Sequence, residues 1–154
     1  MSITAYRITR TKYVATAFDG EGARLYGGRW NSVGTRMTYL AGSRSLATLE
    51  VLVHTEDTST LEGFYSIIPV TFPEELVLKV AENELPGEWF SEEPIAETQI
   101  YGDNWVREGR SAILEVPSAV THEERNFLIN PAHPDFGRIV TGTAIPFRFD
   151  PRLK

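Results

Sequence analysis

The chain has 154 residues, no cysteine and three histidines, with 42% hydrophobic residues and a formal net charge of -6. That length suits one domain spanning 1–154 that buries a core without covalent staples, and the missing cysteines exclude a disulfide framework and a thiolate metal site. The acidic balance opposes broad direct nucleic-acid binding, and no apolar stretch approaches the roughly 20 residues of a membrane span or forms a signal peptide, so a soluble cytoplasmic protein is expected.

Charge is uneven along the chain. Arg7, Arg10, Lys12, Arg24, Arg29, Arg36 and Arg44 crowd the first third, whereas residues 74–97 are predominantly acidic. Either an anion site near the front or ordinary surface charge accounts for this.

In chain order, residues 5–8 read as a short strand, followed by a polar, glycine-bearing loop that delivers Gly27-Gly28-Arg29-Trp30-Asn31. Glycines lack Cβ and permit close approach of backbone and ligand, and an arginine beside them can grip a phosphate through forked hydrogen bonds. The same residues also fit a tight turn with an exposed arginine. Trp30 is either core or a platform for a planar ring. Residues 36–41 alternate with period two, placing Met37, Tyr39 and Ala41 on one face.

Ser43 then caps a predicted helix that ends near His54, with Leu46, Leu49 and Val53 marking its inward face. Glu50 falls within that face. An ionised carboxylate there costs several kcal/mol unless His54, Arg29 or Arg7 compensates it, so the residue is either half of a buried ion pair or a catalytic group.

Residues 63–70 and 76–80 read as strands, residues 95–108 as a helix weakened by Gly102, and residues 111–117 as a strand stopped by Pro117 just before Ser118. Ser118 has no Gly-x-Ser-x-Gly setting and no neighbouring base, so a hydrolytic triad is not expected; it fits a turn cap or a donor to ribose or phosphate. Asn126, Asn130 and His133 occupy a polar, proline-punctuated segment, and residues 145–150 close the chain as a strand. No Walker-type lysine loop, Gly-x-Gly-x-x-Gly or His-Glu-x-x-His occurs. Strands outnumber helices without alternating regularly with them, which predicts an α+β fold with mostly antiparallel pairing.

Taken together, Gly27-Gly28-Arg29-Trp30-Asn31, Tyr39, Ala47-Thr48-Leu49-Glu50-Val51-Leu52-Val53-His54, Val116-Pro117-Ser118-Ala119-Val120, Asn126-Phe127-Leu128-Ile129-Asn130-Pro131-Ala132-His133-Pro134 and Phe149-Asp150-Pro151-Arg152-Leu153 resemble the RES domain family over essentially the whole chain. The arginine, glutamate and serine of its name look like Arg29, Glu50 and Ser118. The resemblance implies an ADP-ribosyltransferase-like fold, a split, mainly antiparallel β structure flanked by helices. It implies a bacterial toxin paired with an Xre-like helix-turn-helix antitoxin, and is compatible with a homodimer inside a toxin–antitoxin hetero-oligomer. It also implies NAD as substrate rather than cofactor, with no metal.

On that basis Glu50, Arg29 and Tyr39 are expected to be catalytic, and Arg7, Gly28, Trp30, Ser118, Asn126, Asn130 and His133 to contact substrate. Glu50 would stabilise the ribosyl cation formed as nicotinamide leaves. Inorganic phosphate is the acceptor favoured by the front-loaded arginines, ahead of water or a protein side chain. A non-enzymatic partner-binding module, with Arg29 and Glu50 as a structural pair, is the reading of a different class.

Overall fold

The computed structural model describes residues 1–153. Its centre is one mixed sheet. Strand β1 (Ser2–Arg10) pairs antiparallel along its length with β3 (Tyr65–Pro73), from Ser2 opposite Pro73 to Arg10 opposite Tyr65. Strand β2 (Thr38–Ala41) pairs with β6 (Arg125–Ile129), which pairs with β5 (Ile113–Pro117). Strand β4 (Val77–Lys79) joins the β5 edge in parallel, while β7 (Val140–Thr141) and β8 (Ile145–Phe147) both pair with β3.

The order β4-β5-β6-β2-β1-β3-β7 has one weak seam, because β1 and β2 share only the partners Tyr6 and Ala41. Arg7 stands at this seam. Its Nη1 donates to the Tyr39 carbonyl at 3.2 Å, tying the two halves of the sheet where their ladder is shortest.

Alternation along the strands divides the core. Ala5, Leu40, Val70, Phe72, Phe127 and Ile129 pack on one face, and Leu114, Val116 and Leu128 on the other, beneath Trp30, Met37 and Trp105. Helix α1 (Glu21–Tyr26) lies in the stretch expected to be loop. Its glycine content hides it from propensity, and local polar contacts hold it: Asp19 Oδ1 accepts from the Glu21 N–H at 2.9 Å and Arg24 Nε donates to Glu21 Oε2 at 2.8 Å.

Helix α2 (Arg44–Val53) begins as expected, with Ser43 Oγ accepting from the Leu46 N–H at 3.0 Å. Of the three residues expected to mark its inward face, Leu46 is buried, Leu49 is half-buried and outside the packing clusters, and Val53 is 56% exposed. Contact instead runs through Leu46 and Ala47 against Tyr6, Ile8 and Ala41, then through Val51 and Leu52 against Leu61, Tyr65 and Phe149. Strand β2 also departs from a one-sided pattern: Thr38 and Leu40 are as buried as Ala41, because core clusters cover both faces of the sheet here.

Helix α3 (Ala96–Glu108) tolerates Gly102 for a steric reason. A Cβ there would stand 1.7 Å from the Trp30 carbonyl oxygen, so the glycine lets α3 lie directly on the turn that follows Arg29. Among the described residues no helix is long and apolar enough to cross a membrane.

Candidate active site

Glu50 projects from the last part of α2 toward the end of β5 and the start of β6. Its Oε1 accepts from Ser118 Oγ and from Asn126 Nδ2, each at 2.9 Å, while His54 Nε2 lies 3.9 Å from Oε2. The glutamate side chain keeps 24% of its surface exposed. Ser118 is fully buried immediately after β5, and Asn126 comes from β6. Neither partner is local in sequence to the glutamate, lying 68 and 76 residues away.

Arg29 stands on the turn after α1. Gly27, at φ 73, ends that helix in a backbone region suited to glycine. Arg29 is half-buried, and its Nη1 donates to the Trp89 carbonyl at 2.9 Å. Burial lowers its pKa, whereas the charge of Glu50 and the Tyr39 side chain act in the opposite direction. Glu50 and Arg29 thus share one electrostatic field without touching, since no ion pair joins them among the described residues.

The turn itself is fixed by Tyr39 and Asn31. Tyr39 donates to Asn31 Oδ1 at 2.6 Å and accepts from the Trp30 N–H at 3.1 Å. Fully buried Asn31 donates to the carbonyls of Ala23, Ser32 and Thr35. Burial pushes the Tyr39 phenol well above the usual tyrosine range, so it is neutral and acts as a donor. Gly28 belongs to the same construction, because a Cβ there would meet the Tyr39 hydroxyl at 2.7 Å. The close approach that this glycine permits is therefore to Tyr39. From α3, Gln99 Nε2 donates to the Gly28 carbonyl at 3.0 Å, and Asp103 accepts from the Ser32 N–H at 3.0 Å and from the Ser32 hydroxyl.

A strap over residues 86–91 completes the surroundings. Trp89, whose carbonyl holds Arg29, has its ring 5.0 Å from His122, and Phe90 is 5.0 Å from the same imidazole. His122 lies on the loop whose Val120 and Thr121 N–H groups donate to Ser118 Oγ. A cavity of about 780 Å³ runs past Val80, Leu85, Trp89, Pro117, His122 and Arg125, and Glu50 is outside its lining.

The structure therefore gathers Glu50, Ser118 and Asn126 by contact, and Arg29 and Tyr39 by the adjoining turn. It places the other candidates elsewhere. Trp30 is 2% exposed and packs edge-on to Tyr101 in the core, leaving its ring no open face. Arg7 shares the Ala5 side of β1, while Tyr6 and Ile8 face α2; its Nε is buried without a partner, and that burial lowers its pKa against the charge of Asp19. Asn130 joins the end of β6 to α3 by donating to the Val106 carbonyl and accepting from the Ala132 N–H. His133 Nδ1 accepts from the Asp135 N–H and caps the short 3-10 turn Pro134–Arg138.

Sequence reasoning assigned no role to Asn31, Gln99 or Trp89. Asn31 had a legible signal in its place at the end of the Gly-Gly-Arg-Trp-Asn turn. The Trp89 carbonyl had none, because every residue carries one.

Comparisons with known proteins identify the family. The RES domain family model matches residues 4–150. A protein of Photorhabdus laumondii named Toxin Res is 40% identical over 149 residues, covering 96% of this chain and 95% of its own. A Toxin Res of Yersinia enterocolitica is 39% identical over 150 residues, covering 97% and 98%. A Sphingobium protein named Prs ADP-ribosylating toxin is 39% identical over 145 residues, covering 92% and 89%. In structure, a chain of the M. tuberculosis MbcT–MbcA toxin–antitoxin complex superposes with a TM-score of 0.73 at 22% identity, covering 96% of this chain and 85% of that one. That neighbour shares the α+β fold with its mainly antiparallel sheet, as expected. With its family model matched almost end to end and its curated relatives named as toxins, the chain belongs to the RES domain family.

Proposed function

We propose that this protein is the toxin of a toxin–antitoxin pair and acts in the cytoplasm by cleaving the nicotinamide–ribose bond of NAD. The observation that carries this reading is the separation of Glu50 and Arg29. Each is held by neutral groups, Glu50 by Ser118 and Asn126 and Arg29 by the Trp89 carbonyl, so both charges remain available to a ligand.

The chemistry of NAD matches those two charges. Its nicotinamide nitrogen already bears a positive charge, so the ring departs with the bonding electron pair and needs no strong general acid. What needs support is the oxocarbenium-like ribosyl group left behind, and a fixed carboxylate supplies it. Glu50 takes that role, and Arg29 takes the pyrophosphate or the incoming anion. Tyr39 holds the turn that aims Arg29.

In the phosphorolytic form an inorganic phosphate oxygen bonds to the ribosyl carbon, giving ADP-ribose 1''-phosphate and free nicotinamide. We place this ahead of hydrolysis because of the arginines in the first third of the chain. Transfer to a protein side chain is the second reading, favoured by the relative named for ADP-ribosylation. The partner is an antitoxin, supported by the complex that contains the structural neighbour, and its Xre-like helix-turn-helix character follows from the family resemblance.

Nicotinamide release from NAD by the purified protein tests the activity. Glu50→Gln is expected to lower the rate about 100-fold or more with the fold intact, in line with loss of one preorganised electrostatic group. Near-normal turnover by that variant would remove Glu50 from the chemistry. Running the wild type with and without phosphate separates the acceptors: equal rates with free ADP-ribose as product refute phosphorolysis.

A further inference from the structure

We propose that Ser118 and Asn126 are positioning residues that hold Glu50 by one carboxylate oxygen and so present the other to the substrate; the kinetic part of this rests on the NAD-cleaving reading above. Both donors converge on Oε1 at 2.9 Å. Oε2 receives no hydrogen bond among the described residues, and the basic nitrogen within 4 Å of it is His54 Nε2 at 3.9 Å. The two oxygens are therefore inequivalent, one saturated by protein and one free.

Ser118 has nothing left with which to bind a ligand. A hydroxyl offers one proton and two lone pairs. The proton goes to Glu50, and the lone pairs accept from the Val120 N–H at 3.0 Å and the Thr121 N–H at 3.2 Å. The residue is also fully buried. A serine used in this way acts on substrate only through the glutamate.

Asn126 leads to the same conclusion by a different observation. Its amide can turn in only one sense, because the flipped form would set Oδ1 against the carboxylate. In the observed sense Oδ1 is buried without a partner. The hydrogen bond that this amide makes is thus the one its donor gives to Glu50.

The clamp also answers a difficulty created by α2. Glu50 lies in the last turn of that helix, where aligned backbone carbonyls disfavour a negative charge. Two hydrogen bonds from outside the helix hold the carboxylate in place at this unfavourable end. With its position fixed, Oε2 faces the ribosyl group as positive charge develops there, and no reorganisation is needed at that moment.

The test is steady-state nicotinamide release by Ser118→Ala, Asn126→Ala and Asn126→Asp, joined to crystal structures of the variants. A clamp predicts a fall in kcat of roughly 10- to 100-fold with KM for NAD nearly unchanged. Asn126→Asp, which replaces the donor with a like charge at the same size, is expected to fall furthest. The Ser118→Ala, Asn126→Ala double variant is expected to lose less than the product of the single losses, because both residues serve one oxygen. A raised KM with unchanged kcat would make these residues substrate ligands and overturn the proposal, as would full activity in all three. If burial prevents Ser118→Ala from folding, the two Asn126 variants decide alone. Should the wild type release no nicotinamide, the functional reading fails while the clamp is still judged structurally: Glu50 turns away from β6 in Asn126→Ala if the proposal holds, and keeps its rotamer if it does not.

Discussion

At the scale of single residues, the site depends on which atoms are already committed. Tyr39 has given its proton to Asn31 and taken one from the Trp30 N–H, so its contribution to Arg29 is architectural. Its raised pKa has a measurable consequence. Below the ordinary tyrosine range both folded and unfolded states keep the phenol protonated, and the buried neutral phenol contributes its full share of stability. Above about pH 10 the unfolded chain releases that proton while the folded protein retains it, so the contribution falls as pH rises toward the folded pKa. Urea unfolding of the wild type and Tyr39→Phe should therefore give a stability difference that narrows between about pH 8 and about pH 11. A constant difference would show that Tyr39 is not held neutral by the fold. The residues were legible to unequal degrees. Glu50 declared itself as a carboxylate on an apolar helix face, and Arg29 by the glycines before it. The sequence-based expectation for Gly28 identified a need for close approach but not its object, since the object is a hydroxyl eleven residues further on in a separate strand.

At the scale of elements, helix α3 illustrates how a locally poor choice serves a distant contact. Gly102 lowers helix propensity, yet its missing Cβ is what allows α3 to rest on the Trp30 carbonyl. Gly102→Ala should gain about 1 kcal/mol in propensity and lose about 1 to 3 kcal/mol to overpacking, for a net loss of stability. A lowered melting temperature in calorimetry is the expected result; a raised one would show that the turn yields freely. The same substitution displaces the turn that carries Arg29, because Gln99 and Asp103 on α3 hold its backbone. The strap is the complementary case. Glu88 adopts φ 62, uncommon for a residue with a Cβ, immediately before the carbonyl that receives Arg29. Helix α1 escaped sequence reasoning because glycines bracket and interrupt it, and what accompanies it, the ion pairs of Glu21 with Arg24 and Arg36 and the packing of Ala23 on the Trp30 cluster, exists only in the folded chain.

At the scale of the whole molecule, the continuous sheet predicts one cooperative unit. The central strands β5, β6 and β2 are buried on both faces, whereas β7 is exposed at the far edge. Urea unfolding should give a single transition by fluorescence and circular dichroism together, with amide exchange slowest in β5 and β6 and fastest in β7. Separate transitions would instead divide the molecule at the β1–β2 seam, where one partner pair and the Arg7 hydrogen bond join the two halves. By itself the sequence determined the α+β class, the positions of α2 and α3 and most strands, and the singular character of Glu50, because periodicity and capping are local properties written in neighbouring residues. Only the tertiary structure decided the partners of that glutamate. Ser118 and Asn126 reach it across 68 and 76 residues, Arg29 is restrained by a backbone carbonyl 60 residues away, and Trp30 is withdrawn into the core by α3. Such contacts follow from strand order and helix docking, which no single stretch of chain encodes.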